Sequence, residues 1–347
     1  MQVPLIDLRA QYLSIKDEVD AAIARVHQRG NYVMGHEVEC FELEWAHYCG
    51  ARFCVAVSSG TDALYLILRA LGLKAQLVLT TPFTFFATVV AIILSGNTPL
   101  FIDVEEDGNI DISKDYSTLY NVPVHLYGRP AKVDLSSIED TAQGHGIELT
   151  GLAQAYSFYP TKNLGAFGQG GAVVTNDSDL AQKVKELRVH AEKERFVHYA
   201  VSGNYRMDEL QAAILRAKLP HLDGWIAKRR QIAEWYYQRL SQIEGVVLPP
   251  QHPGHTYHIF AIKLKERDAL ARFLAEKGTQ TAVRYPVPMH LMPALKDLNY
   301  KRGDFPKAEE WAETVLNLPI YPEMNEEMVD YVCTSIREWG ENDLRRN

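Results

Sequence analysis

Between residues 53 and 175 the sequence repeats one alternation. Short apolar runs that read as strands, Phe53-Cys54-Val55-Ala56-Val57, Leu77-Val78-Leu79, 100–104, 122–125, 136–140 and 172–175, are separated in several places by segments with apolar residues at helical spacing. Parallel strands need long crossovers, and helices are the usual ones. The expected fold is therefore α/β, with a mostly parallel central sheet covered on both faces. Ligands in such sheets sit beyond the carboxyl ends of the strands. Thr61, Phe85, His125, Asp140 and Lys162 each fall just after a strand-like run, so the fold can bring them together there.

The flanking regions read differently. Residues 9–29 and 35–49 have the spacing of amphipathic helices, as do residues 208–242, where Pro220 predicts a kink. After Pro249-Pro250-Gln251-His252-Pro253-Gly254 the composition shifts, and a smaller C-terminal α/β unit is expected; the division is placed at 1–235 and 236–347. The 347 residues carry a net charge of −8, and their densest basic run, Lys228-Arg229-Arg230, reads as a solvated helix face. That excludes the basic footprint of a nucleic-acid binder. Cys40, Cys49, Cys54 and Cys333 show no C-x-x-C spacing, so no metal centre or redox motif is expected. The start, Met1-Gln2-Val3-Pro4, lacks a signal-peptide pattern, and the apolar run 85–94 is too short to span a bilayer. A cytoplasmic protein without membrane partners is the expectation.

Two segments point to specific chemistry. Ser157-Phe158-Tyr159-Pro160-Thr161-Lys162-Asn163-Leu164-Gly165 places one lysine between an aromatic strand-like run and a string of glycines. Upstream, Ile138-Glu139-Asp140-Thr141-Ala142-Gln143 brings an acid out of an apolar segment. A lysine that forms an imine and a carboxylate that keeps a pyridine nitrogen protonated are what pyridoxal phosphate requires. A third segment, Ser58-Ser59-Gly60-Thr61-Asp62, follows a strand and opens a helix, which is a geometry for phosphate. Taken alone, Lys162 reads as a surface lysine, Ser59 or Thr61 as a simple helix cap, and Phe85 as a core residue. His125 reads equally as a hydrogen-bonded core histidine.

Six segments in order remove most of that ambiguity: 58–64, Phe83-Thr84-Phe85-Phe86-Ala87-Thr88, Pro123-Val124-His125-Leu126-Tyr127-Gly128, 139–143, 157–165 and Asn204-Tyr205-Arg206-Met207-Asp208-Glu209-Leu210-Gln211-Ala212-Ala213. Together they closely resemble the DegT/DnrJ/EryC1/StrS family of pyridoxal phosphate-dependent nucleotide-sugar aminotransferases, over residues 3–323. The resemblance implies the fold-type-I, aspartate aminotransferase-like architecture and a homodimer with shared active sites. It implies that Lys162 is the imine lysine and proton shuttle and that Asp140 pairs with the pyridine nitrogen. Gln143 is implied near the phenolic oxygen, Phe85 on the ring face, and Gly60, Thr61, Asp62 and Ser157 around the phosphate. Asn204 is implied to reach the phosphate of the neighbouring subunit's cofactor. His125, His198, Tyr285 and His290 are the substrate-side candidates.

Within that family some relatives replace the lysine with histidine and remove a hydroxyl, so Lys162 favours transamination. The expected reaction moves an amine from L-glutamate to a keto group of a nucleotide-linked sugar. Tyr285-Pro286-Val287-Pro288-Met289-His290 resembles the segment of members acting at C-3, which favours a 3-keto over a 4-keto substrate. A low-turnover, cofactor-binding regulator is the alternative. The chain also departs from the family pattern. Residues 109–121, 134–139 and 145–157 are short where relatives carry helices or longer loops, so outer helices are expected to be shortened or missing. Apolar strand surface left by such losses must be covered by neighbouring elements or by a partner.

Overall fold

A computed structural model describes residues 1–112 and 120–344. The strands β1 (Phe53–Val57), β2 (Leu77–Thr80), β3 (Thr98–Phe101), β4 (Asn121–Val122), β5 (Ile138–Asp140), β6 (Ala153–Ser157) and β7 (Gly171–Thr175) form the central sheet. Hydrogen-bonded ladders give the orders β1-β7-β6-β5 and β3-β2-β4. Parallel bridges Asn121↔Ser137 and Val124↔Asp140 join the two at β4 and β5. Among the described residues β7 runs antiparallel to both its neighbours, and the other pairings are parallel. The sheet is mixed but mostly parallel.

The sheet faces are sorted by the two-residue period of a strand. Val55, Val57, Ala155 and Val173 enter one core with α4 (Gly60–Ala70), α5 (Phe86–Leu94) and α6 (Ser178–Arg188). Cys54, Ala56, Tyr156, Ala172 and Val174 enter the other, beneath α3 (His36–Tyr48) and α7 (Glu209–Lys218). The N-terminal helix expected over 9–29 is two helices, α1 (Leu8–Ser14) and α2 (Lys16–Arg29). Ser14 turns its hydroxyl back onto the Gln11 carbonyl at 2.8 Å, and the helix breaks at Ile15. The strand expected at 100–104 ends early, at Phe101. Asp103 leaves the sheet so that its carboxylate can accept the Lys307 and Ala308 N–H groups, both at 2.9 Å, at the start of α10 (Pro306–Thr314).

The shortened connections contain no replacement helix among the described residues. Between β4 and β5 there is a single 3-10 turn, Leu126–Gly128, and between β5 and β6 only turns and loop. The short span 109–121 lies partly outside the described residues. The strands are nevertheless covered: Val122 and Ile138 are fully buried in the core shared with α4 and α5.

The C-terminal unit packs α8 (Leu222–Leu240), α9 (Arg267–Glu276) and α11 (Glu326–Leu344) on the antiparallel pair β10 (Phe260–Lys263) and β11 (Val315–Leu318). The division expected after residue 235 falls inside α8. Its first half, with Leu222, Trp225 and Ile226, belongs to the large core, and its second, with Ile232, Tyr236 and Leu240, to the small one. Arg229, read as part of a solvated face, is buried. Its guanidinium donates to the carbonyls of Ile320 at 2.7 Å, Tyr257 at 3.3 Å and His258 at 3.4 Å.

One buried carboxylate organises the large unit. Glu209 accepts the N–H groups of Gly35, Glu37 and Val38 at 2.8, 2.9 and 3.0 Å, and so caps α3, which has no side-chain cap of its own. Glu209→Ala strands these donors in a buried place. The expected loss is about 3 kcal/mol in urea unfolding, with Glu209→Gln losing less; an unchanged midpoint in the alanine variant would refute this role.

Candidate active site

Lys162 sits in a loop that the sequence closes on itself. Phe158 N–H donates to the Gly170 carbonyl and Ala166 N–H to the Phe158 carbonyl, both at 2.8 Å, and Lys162 N–H turns back to Tyr159 at 2.8 Å. From α7, the buried Lys218 ammonium donates to the Gly165 carbonyl at 2.6 Å and fixes the far side of the loop. Among the described residues the Lys162 amine itself has no hydrogen bond or ion pair. Burial pushes its ammonium down to about 8 against the opposing pull of Asp140, and the Arg284 charge adds to the drop. An amine in this state is neutral often enough at ordinary pH to attack a carbonyl.

Asp140 ends β5 and is 5% exposed. Its carboxylate accepts from the Thr88 hydroxyl at 2.8 Å and from Ala142 N–H at 3.2 Å, and Thr88 is hydrogen-bonded to Thr84 at 2.9 Å. Burial still lifts the Asp140 carboxyl above the ordinary aspartate value, with these bonds and the Lys162 charge opposing it. A carboxylate held this way gains from a cationic partner. Gln143, one turn on, accepts from Tyr127 N–H at 2.6 Å and donates to the Tyr285 hydroxyl at 2.9 Å. Phe85 precedes α5; the residue is 58% exposed, and its ring lies 6.0 Å from that of Tyr285.

At the end of β1 the chain enters α4. Ser59 caps the helix by accepting from Asp62 N–H at 3.1 Å, and the Asp62 carboxylate accepts from Ser58 and Ser59 hydroxyls at 2.6 and 2.7 Å. Asp62 is therefore turned inward on the cap. Gly60 and Thr61, at the first positions of α4, show no N–H acceptor among the described residues, and a helix start of this kind suits an anion. The corner is tight: a Cβ on Gly60 would lie 2.8 Å from Ser157 Cβ, and one on Gly171 only 2.3 Å from the Ser59 backbone. That contact sets Ser157 beside the helix start.

The histidines separate. His125 is buried; its Nε2 meets Glu139 at 2.8 Å, and its Nδ1 accepts from Ala131 N–H at 3.0 Å, so both ring nitrogens are engaged within the protein. His290 is buried with Nε2 on Glu309 at 2.9 Å. His198 is exposed on the β8 (Glu192–Glu194) and β9 (Val197–His198) hairpin, its Nδ1 donating to the His190 carbonyl at 3.0 Å. Asn204 is also exposed and accepts from the Arg206 guanidinium at 3.0 Å. The structure thus brings Asp140, Lys162, Gln143, Tyr285 and Phe85 close together, and leaves His198 and Asn204 on the surface. The sequence reading passed over Thr88 and Arg284. Thr88 stood within a quoted motif, but nothing in its type distinguished it from Thr84.

The family model for the DegT/DnrJ/EryC1/StrS aminotransferase family matches residues 13–337. The chain belongs to this family. It is 41% identical to the erythromycin biosynthesis sensory transduction protein EryC1 of Saccharopolyspora erythraea, over 97% of this chain and 99% of that protein. It is 38% identical to a dTDP-3-amino-3,4,6-trideoxy-alpha-D-glucose transaminase of Streptomyces venezuelae, over 98% and 97%. The crystal structure of S. venezuelae DesV in complex with a ketimine intermediate superimposes with a TM-score of 0.94 at 38% identity, covering 98% of this chain and 99% of that one. The architecture is that of the aminotransferases of this family, and the cofactor is pyridoxal phosphate. The residues present fit it: among the described residues an unpartnered amine faces the charge of a buried carboxylate, and the start of α4 packs against Ser157, five positions before that amine.

Two outcomes follow from the electrostatics. The rate at which apoenzyme captures pyridoxal phosphate rises with pH with a midpoint near 8, because the neutral Lys162 amine is the attacking form; stopped-flow absorbance reads it, and Arg284→Leu moves the midpoint upward. Thr88→Val removes a donor from Asp140 and weakens cofactor retention by about tenfold, measured by dialysis and fluorescence.

Proposed function

We propose that the protein transfers the amino group of L-glutamate to the C-3 keto group of a nucleotide-linked sugar, forming an amino sugar. The observation that carries this is the unpartnered, depressed Lys162 amine in the same cleft as the buried Asp140 carboxylate. Bound pyridoxal phosphate supplies an aldehyde for imine exchange and a ring that accepts electrons. Lys162 would hold the cofactor, and its amine, neutral part of the time, would serve as the base that moves a proton at the substrate's amine-bearing carbon. Asp140, oriented by Thr88, keeps the pyridine nitrogen protonated. Gln143 would hold the phenolic side and Phe85 would cover the ring face. Gly60 and Thr61 N–H groups and the Ser157 hydroxyl take the phosphate, while Asp62 holds the cap that aims them.

The exposed Asn204 acts across a homodimer at the neighbouring subunit's phosphate site, and the exposed His198 is kept as a substrate-side residue. On the substrate side the C-3 reading rests on Tyr285, which the Gln143 bond ties to the cofactor cleft, and on the name of the Streptomyces venezuelae relative. All four cysteines are unpaired, in keeping with a reducing, cytoplasmic setting.

The name of the Saccharopolyspora relative favours a second reading, a cofactor-binding regulator. A regulator needs no base, and the depressed Lys162 amine supports turnover instead. Exchange of the glutamate α-proton into deuterated water separates the two: an enzyme exchanges it, whereas a holoprotein that retains it is the regulator.

Lys162→Arg keeps the charge but its guanidinium stays protonated. The variant is expected to fold, lose the cofactor's lysine-bound absorbance band, and lose transamination; normal turnover would remove Lys162 from the mechanism. Asn204→Ala is expected to remain dimeric by light scattering and to release cofactor faster, and a tight-binding monomer in the parent protein contradicts the shared site. Matched 3-keto and 4-keto nucleotide sugars decide the carbon, with amination of the 4-keto compound alone overturning the C-3 assignment.

A further inference from the structure

Tyr127, Gln143, Tyr285 and Arg284 close a hydrogen-bonded ring beside Asp140. Tyr127 holds two of its corners. Its N–H donates to the Gln143 amide oxygen at 2.6 Å, and its hydroxyl donates to the Arg284 carbonyl. Asn317 is a further side-chain partner of that hydroxyl. The Gln143 amide nitrogen donates to the Tyr285 hydroxyl at 2.9 Å, and the chain itself joins Tyr285 to Arg284. Tyr127 is buried and takes the left-handed conformation, φ 60°, within the turn Leu126–Gly128. Bulky residues rarely take that conformation, and they keep it where the surrounding structure holds them in it. Here it aims the N–H at Gln143 while the side chain reaches Arg284.

The donors and acceptors fix the polarity of the ring. A backbone N–H can only donate, so the Gln143 atom that it meets is the amide oxygen, and the NH2 group faces Tyr285. One hydrogen of that group goes to Tyr285, and the other has no acceptor among the described residues. The Tyr285 hydroxyl accepts that bond, and its own hydrogen likewise has no acceptor among the described residues. Burial pushes the Tyr285 phenol up against the opposing effect of the Gln143 bond, and the Asp140 charge adds to the rise, so the hydroxyl keeps its proton and can donate. Two free donors whose heavy atoms are 2.9 Å apart suit one oxygen, which completes a near-equilateral triangle with them.

We propose that Tyr285 is a second donor, beside Gln143, to the phenolic oxygen of the cofactor, and that Tyr127 is a positioning residue for Tyr285. The inference rests on the placement proposed above, in which Gln143 holds the phenolic side. A sugar oxygen is the other acceptor that suits the same donors. A donor on the phenolic oxygen stabilises its negative charge, so the Lys162 nitrogen bound beside it loses its proton at a lower pH.

The test uses Tyr285→Phe, Tyr127→Phe and the double variant. Asp140 and Arg284, the charges that act on both Tyr285 and Lys162, are kept in all three. The full-length protein freed of cofactor is titrated by fluorescence with pyridoxine phosphate, which has no aldehyde, and with its 3-O-methyl ether, whose oxygen carries no charge. Tyr285→Phe is expected to weaken pyridoxine phosphate about tenfold and to leave the ether unchanged. In the holoprotein the lysine-bound absorbance band is expected to titrate about one pH unit higher, the same tenfold factor. Tyr127→Phe keeps the N–H on Gln143 and loses only the hold on residue 284, so it moves both readouts in the same direction by less. The double variant is expected to lose no more than Tyr285→Phe alone, and additive losses overturn the positioning role of Tyr127. Equal weakening of both analogues by Tyr285→Phe, or of neither, overturns the second donor. A raised half-saturation concentration for a keto nucleotide sugar, with the analogue affinities and the titration unchanged, overturns it as well and assigns the hydroxyl to the substrate. A parent protein that binds both analogues equally overturns the placement of Gln143 on which the inference rests.

Discussion

The placement of Asp140 depends on its neighbour Glu139. Adjacent strand residues face opposite sides of a sheet, so β5 delivers one acid to the cofactor cleft and buries the other in the scaffold. Glu139 is fully buried and accepts from His125, from the Gln154 amide and from the Thr150 and Gly151 N–H groups. Burial pushes its carboxyl up, but these donors more than offset it and hold it below the usual range. Three of these partners, His125, Thr150 and Gly151, lie in the two connections flanking β5, which contain no full helix among the described residues, and Gln154 lies in β6. Hydrogen bonds to one carboxylate thus do locally what a packed helix does in a longer chain. They hold β5 in register with β4 and β6, and the aim of Asp140 follows from that register.

The cations of the structure are sorted just as sharply. Lys218 has a backbone carbonyl, Arg229 has three, and Arg188 has Glu42 and the Ala56 carbonyl. A buried cation normally has such partners, because an unpaired one is costly. Among the described residues the part-exposed Lys162 and Arg284 have no such side-chain partner, and the Arg284 charge adds to the lowering of the Lys162 ammonium. Lys162 can lose its proton whereas Arg284 cannot. The electrostatic strain therefore collects on the one group whose neutral form is chemically useful.

Much of this was legible in the sequence, for identifiable reasons. The strand–helix alternation sets the sheet, and the motifs around Asp140 and Lys162 are local in sequence, so their residues could be named before any coordinates. Contacts made at long range could not. The pairing of His290 with Glu309 joins residues whose types do not announce each other, and the cap that Glu209 lends to α3 spans more than 170 positions. The β6 run Ala153-Gln154-Ala155-Tyr156-Ser157 has little β character of its own; the sheet imposes it, with Gln154 kept buried by Glu139. Arg229 looked solvated because its run is basic, and only the three carbonyls converging on it explain its burial.

The continuity of α8 bears on how the active site is held. A hinge near residue 235 would have to break backbone bonds in the middle of a helix whose two halves are anchored in different cores. Arg229, near its midpoint, grips the carbonyls of Tyr257 and His258, and Arg230 that of His255 at 3.0 Å. The same short segment reaches the lysine loop, since Asn163 donates to the Thr256 carbonyl at 3.3 Å and Thr256 N–H donates to Gly128 at 2.8 Å. The loop that carries Lys162, the turn after β4 and the small core are thereby tied through one helix. A rigid connection of this kind preserves angstrom-level placement of a proton-transferring amine, and proton transfer demands that placement. Any opening that admits a nucleotide-linked substrate must then come from elements outside this tie, such as the exposed β8–β9 hairpin.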